Sequence, residues 1–137
     1  MTPAQLAKLH GAVFDWPRPW SEAEFASLLS QKGVILATSG LHSFAMGRIA
    51  AEEFEIFTIA THPNARRAGH ARSCLNELED KARFLGALDA FLEVAANNEP
   101  ALGFYKALDY RRVGTRPRYY GLPNGARLDA QILSKSM

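Results

Sequence analysis

Between residues 54 and 94 the chain passes from an apolar strand, through a small-residue turn and a long amphipathic segment, into a second strand that is apolar on both faces. Few folds accommodate that order. From residue 69 to 84, Cys74, Leu75, Leu78, Ala82 and Leu85 share one helical face, with acids and bases opposite, and Gly86 supplies a stop. Residues 87–94 carry apolar side chains on both faces, the pattern of a central strand. A helix joins this strand to the one before it, so the two are expected to run parallel.

The turn itself, Arg66-Arg67-Ala68-Gly69-His70-Ala71, is chemically specific. A strand delivered into small residues at a helix start aims free backbone N–H groups and the positive helix end at one point, which attracts phosphate. Two arginines add mobile positive charge and favour a diphosphate over a lone carboxylate. The pattern is not a Walker loop, because the lysine and hydroxyl after the glycine are absent. Nor does it hold the three glycines of a dinucleotide fingerprint, and the strands upstream read as antiparallel. An elongated diphosphate cofactor lying between strands fits best.

With 137 residues, 47% of them hydrophobic, the sequence is expected to form a single domain over residues 1–137. Net charge is +2 and bases are scattered among acids, so neither nucleic acid nor a membrane surface is the expected partner. The single cysteine, Cys74, excludes an internal disulfide and fits core packing in a reducing compartment. No basic-then-apolar leader and no apolar run of spanning length is visible, so a cytoplasmic setting is expected. The four histidines, His10, His42, His62 and His70, share no ligand spacing, and no metal site is expected.

The remaining elements follow from local signals. Thr2, Pro3 and Gln5 start a helix whose stripe is Leu6, Leu9 and Val13; the prolines of residues 15–20 then impose a rigid aromatic loop. Ser21 and Glu24 form a second capping box, with Trp20 and Phe25 at staple spacing, and that helix is expected to reach about residue 29. Residues 34–38 and 41–51 read as a hairpin around Ser39-Gly40, and Glu52-Glu53 turns the chain into the strand at 54–61. After the central strand, Asn97-Asn98-Glu99-Pro100 opens a helix to about residue 108, followed by strands over 110–120 and 126–133. The expected fold class is α/β: a mixed sheet with helices on both faces.

Glu93 interrupts an apolar run near the end of the central strand, where an ionised carboxylate needs a partner or a task. Burial would raise its pKa and suit a base near neutral pH; pairing with one of the arginines, or simple exposure, is the bland alternative. Tyr105, on the next helix, could protonate a leaving group, although a tyrosine at helical spacing is more often core with a wet hydroxyl. Asn98 is a natural helix cap and equally a candidate ligand contact. Arg116, Arg118, Tyr119 and Tyr120 form a basic aromatic cluster that reads as a solvated strand end or as a peptide-binding rim.

Taken together these stretches resemble the GNAT acetyltransferases, most closely the RimI type that acetylates a ribosomal-protein N-terminus. The loop at residues 66–71 resembles the family's acetyl-CoA pyrophosphate loop. Pro19-Trp20-Ser21-Glu22, Ile59-Ala60-Thr61-His62-Pro63, Leu92-Glu93-Val94 through Asn98 to Tyr105, and Arg118-Tyr119-Tyr120 with Asp129-Ala130 agree in order and spacing. Ala95 stands where that pattern commonly carries arginine, and Ala71 replaces the more usual second glycine. The resemblance implies Glu93 as proton acceptor and Tyr105 as donor to the departing thiolate. It implies cofactor contacts at the backbone of Ile59, Ala60 and Thr61, at Arg66, Arg67, Ala68, Gly69, His70, Ala71 and Arg72, and at Asn98. It places Trp20, Arg118 and Tyr119 on the acceptor side.

The implied reaction is direct transfer of acetyl from acetyl-CoA to a primary amine, with a protein N-terminal α-amine as the first choice of acceptor. No enzyme-bound acyl group is required, so Cys74 is expected to be dispensable. A small amine such as a polyamine is the second choice, and the basic cluster at residues 116–120 leans against it. A non-catalytic acetyl-CoA-binding regulator is the third.

Overall fold

The computed structural model describes residues 1–15 and 18–137. Trp16 and Pro17, part of the expected aromatic loop, lie outside the described residues. Helices α1 (Pro3–Val13) and α2 (Glu22–Ser30) precede strands β1 (Val34–Ser39), β2 (Ser43–Ala50) and β3 (Glu53–Thr61). A single 3-10 turn at Pro63–Ala65 leads to α3 (His70–Phe84), then β4 (Asp89–Ala95), α4 (Glu99–Ala107), β5 (Arg111–Gly121) and β6 (Arg127–Ser136). The six strands form one mixed sheet in the order β1-β2-β3-β4-β6-β5. Among the described residues only β3 and β4 pair in parallel, as the intervening helix requires.

Local chemistry accounts for the helix starts. Both expected capping boxes form, Thr2 with Gln5 and Ser21 with Glu24, and the Trp20 and Phe25 rings lie 5.5 Å apart as a staple. α3 instead starts at Gly69, whose φ of +79° needs a residue without a β-carbon. Two apolar layers sandwich the sheet. Cys74, Leu75, Leu78 and Ala82 of α3 pack with Phe54, Ile56, Leu92 and Leu133 on one face, and Leu6, Leu9, Phe25, Phe44 and Met46 pack on the other. Leu85, expected on the buried face of α3, is half exposed because the helix has already ended at Phe84. The first hairpin closes through Gly40, Leu41 and His42, one residue more than expected, since Ser39 pairs with Ser43. The turn before β3 is Ala51-Glu52, so Glu53 already belongs to the strand, and β6 runs three residues beyond the expected end, to Ser136.

One irregularity shapes the molecule. Met46 of β2 faces Thr58 while Gly47 faces Ile56, so Phe57 is an extra residue in β3. Such a bulge bends a strand and reverses its alternation: Phe54 and Ile56 join the α3 layer, whereas Ala60 joins the α1 layer. Beyond it, β3 stays with β2 and leaves β4. Parallel pairing ends at Glu55 and Phe91, while β4 remains paired with β6 as far as Ala95 and Ala130. The two central strands therefore diverge into a V. Gly47 makes the bulge possible, because a β-carbon there would lie 2.3 Å from the Glu55 carbonyl oxygen and 2.6 Å from the Phe54 ring. Gly47→Ala is expected to cost at least about 1–3 kcal/mol, read as a lower urea midpoint.

Among the described residues, no helix is long and apolar enough to cross a membrane.

Candidate active site

The V between β3 and β4 holds a cavity of about 480 Å³. Phe57, Thr58 and Ile59 line it from β3, and Glu93, Val94 and Ala95 from β4. Asn98, Ala101 and Tyr105 of α4 close one side; His10, Phe14, Arg18 and Trp20 close the other; Tyr120 and Leu122 complete the rim. Beyond Glu55, β3 has no strand partner on its β4 side among the described residues, so its backbone from the bulge to Thr61 offers peptide groups to whatever enters.

Glu93 and Tyr105 reach this space from opposite faces of the sheet. Ala90, Leu92 and Val94 of β4 pack in the α3 and α4 layer, so Glu93 projects to the α1 side by strand alternation. Its side chain is 19% exposed and its Oε1 accepts a 2.7 Å hydrogen bond from Arg116 Nε. Pairing with an arginine is thus realised at the cavity wall itself. Tyr105 is buried, and burial pushes its phenol pKa above the ordinary value, so the hydroxyl keeps its proton at neutral pH. Its ring packs edge-on against Phe104 and Tyr110. Asn98 caps α4, its Oδ1 accepting from the Ala101 N–H at 3.3 Å, and the residue also lines the cavity.

The anion loop lies at the head of α3. Arg66, Arg67, Ala68 and Gly69 are exposed, and Arg67 as well as Gly69 takes a positive φ, +65° for the arginine. A non-glycine residue in that region is held against a cost of roughly 1 kcal/mol or more. The first intrahelical hydrogen bond of α3 is Ser73 N–H to the Gly69 carbonyl, at 3.0 Å. The N–H groups of His70, Ala71 and Arg72 precede it, as at any helix start. His70 has a task of its own, since Nδ1 lies 2.8 Å from Ser39 Oγ and ties the helix start to the first hairpin. None of residues 66–72 lines the cavity; they run from the 3-10 turn that follows β3 into the first turn of α3. Ala60 and Thr61 do not line the cavity; buried Ser43 donates to the Ala60 carbonyl and contacts Thr61 Oγ1 at 2.9 Å, fixing the strand end.

On the acceptor side Trp20 lines the cavity, whereas Arg118 and Tyr119 do not. They occupy a bulge in β5: Arg116 pairs with Ala130 and Tyr120 with Leu128, leaving three residues opposite Asp129. Arg118 has a φ of +54°, and its N–H donates to Asp129 Oδ1 at 2.9 Å. That geometry delivers Tyr120 to the rim. Cys74 is in the core, where burial pushes its thiol up, and is not part of the cavity wall. Among the described residues, no three His, Cys, Asp or Glu side chains gather as a metal site.

His10 is one of the wall residues that sequence reasoning missed. It is 5% exposed and stacks on Trp20 at 5.0 Å. Its Nδ1 accepts the Trp20 N–H at 3.1 Å, so the neutral ring carries its proton on Nε2, which lies 3.3 Å from Thr58 Oγ1. Only the spacing of His10 with Leu6, one turn earlier on the buried stripe, could have signalled it. Burial pushes its pKa down from 6.5 to about 4, with Glu24 opposing. The unfolded chain therefore binds more protons between those pH values. The contribution of His10 is complete above about pH 6.5 and is lost as pH falls towards 4, by at most about 3 kcal/mol. Urea unfolding across that range is expected to show this loss, with a flatter acid limb in His10→Gln.

Comparison with known proteins agrees with this geometry. Residues 4–110 match the acetyltransferase (GNAT) family. The chain is 31% identical over 119 residues to the [ribosomal protein bS18]-alanine N-acetyltransferase of Escherichia coli K12, covering 85% of this chain and 80% of that one. It is 32% identical over 133 residues to the uncharacterized protein ML0378 of Mycobacterium leprae, covering 88% of this chain and 36% of that longer protein. The crystal structure of the Escherichia coli ribosomal-protein-S18-alanine N-acetyltransferase superposes with a TM-score of 0.85 at 28% identity, over 98% of this chain and 86% of that one. With the family match, the identity and the divergent central strands in accord, the chain belongs to the acetyltransferase (GNAT) family.

Proposed function

We propose that this N-acetyltransferase acetylates the α-amine of a protein N-terminus, such as that of a ribosomal protein, with Glu93 as base and Tyr105 as acid. The observation that carries the reading is the V-shaped cavity, where Glu93 and Tyr105 line one space from opposite faces of the sheet beside the unpaired edge of β3. The name of the Escherichia coli relative supports the acceptor class. Acetyl-CoA supplies an activated acetyl thioester. Arg66, Arg67, Arg72 and the N–H groups at Ala68, Gly69, His70 and Ala71 hold its diphosphate, Asn98 adds a contact, and the backbone of Ile59, Ala60 and Thr61 binds its arm.

The acceptor enters past Trp20 and the rim formed by β5, with Arg118 and Tyr119 supporting that rim. Only a neutral amine attacks. An α-amine has a reference pKa of about 8 against roughly 10.4 for lysine, so a carboxylate acting directly or through water deprotonates it more readily. Glu93 takes that proton, and Tyr105 donates one to the departing thiolate. The wall of Phe14, Trp20 and Phe57 is aromatic, and among the described residues Glu93 is the single carboxylate of the lining, with the cation of Arg18 also present, so little there attracts a polycation. Acetyl transfer from acetyl-CoA, read by mass spectrometry, to a panel of peptide N-termini and polyamines tests the assignment. Modification of peptide N-termini alone is expected; modification of polyamines alone would overturn it.

A further inference from the structure

We propose that Arg116 is a positioning residue for Glu93: it reaches across β6 from the edge strand and holds the carboxylate at the cavity wall. The inference rests on the reading of Glu93 as the base. Glu93 pairs with Ile132 and Ile132 with Gly114, so the residue directly in line on β5 has no side chain. Arg116 stands two residues further along β5, on the row of Ala130 and Ala95. Residues of one row share a face. Ala130 is fully buried and presents only a methyl group there, which leaves a path for the arginine over β6.

The guanidinium arrives side-on. Its Nε donates to Oε1 at 2.7 Å, and its Cζ lies 5.6 Å from the centroid of the Tyr119 ring, a cation–π distance that steadies the cation. The basic aromatic cluster thereby acquires a task that neither a solvated end nor a general peptide rim describes. Arg116 is 55% exposed, and an ion pair so open to water adds little to folding stability. Its effect belongs on the chemistry: a fixed carboxylate with one oxygen occupied presents the other to the amine, and a cation beside the site disfavours an ammonium there.

The test compares Glu93→Gln, Arg116→Met and the double variant, using acetyl-CoA and a peptide N-terminus. Arg116→Met is expected to lower kcat by about 10- to 100-fold, as misplacement of a reacting group does, with KM for acetyl-CoA and Tm unchanged. The double variant is expected to be no slower than Glu93→Gln alone, and ethylguanidinium is expected to restore part of the rate to Arg116→Ala. Full kcat in Arg116→Met beside a slow Glu93→Gln overturns the positioning role, as do losses that multiply in the double variant. An unchanged kcat in Glu93→Gln overturns the base assignment, and the role of Arg116 with it.

Discussion

Glu93→Gln is expected to lower kcat by about 10²- to 10⁴-fold at neutral pH, the range over which a positioned general base contributes. The substitution keeps size and strand register, and the amide can still accept from Arg116, so folding should be nearly unaffected. What disappears is the proton acceptor. Because the α-amine is mostly protonated at pH 7 and titrates at about 8, the variant should recover part of its rate as pH rises and the free amine accumulates. Steady-state rates from pH 6 to 9 give the comparison. A variant as fast as the parent at neutral pH would remove Glu93 from the reaction.

The largest loss of stability is expected away from the cavity, at Glu79. This α3 residue is 3% exposed; its carboxylate accepts from the Tyr110 hydroxyl at 2.7 Å and from Lys135 Nζ at 3.1 Å, with Arg83 3.9 Å away. Removing one member of a buried charged set strands the others, so Glu79→Ala is expected to cost about 3–5 kcal/mol. Replacing the set by shape, Glu79→Leu with Lys135→Met and Tyr110→Phe, should be far milder, since no buried charge is left alone. Urea unfolding at pH 7 distinguishes the two. A loss below about 1 kcal/mol in Glu79→Ala would show that the set is not coupled as its distances imply. The Tyr110 ring in turn packs 5.6 Å from that of Tyr105, the proposed acid.

Features set by neighbours in sequence were legible in advance. The capping boxes at Thr2 and Ser21 depend on residues three apart, and the stop at Gly86 depends on one positive φ of +97°. The parallel pairing of β3 and β4 followed from the helix between them. Features set by distant partners were not. Phe57 looks like any strand residue, and only the close contact of Gly47 with Phe54 and Glu55 explains why β3 gains a residue there and parts from β4. The partner of Glu93 could have been any of several arginines; choosing Arg116 requires the strand order, which places β6 and Ala130 between them. His10 matters through Trp20, ten residues on, and Thr58, forty-eight residues on.

The most direct test of the central claim is a single peptide carrying both a free α-amine and an internal lysine, incubated with acetyl-CoA and the enzyme and sequenced by tandem mass spectrometry. One acetyl group on the α-amine, with the lysine untouched, is the predicted result. Acetylation of the lysine with the α-amine left free, or acetyl-CoA binding without modification of either amine, would contradict the account.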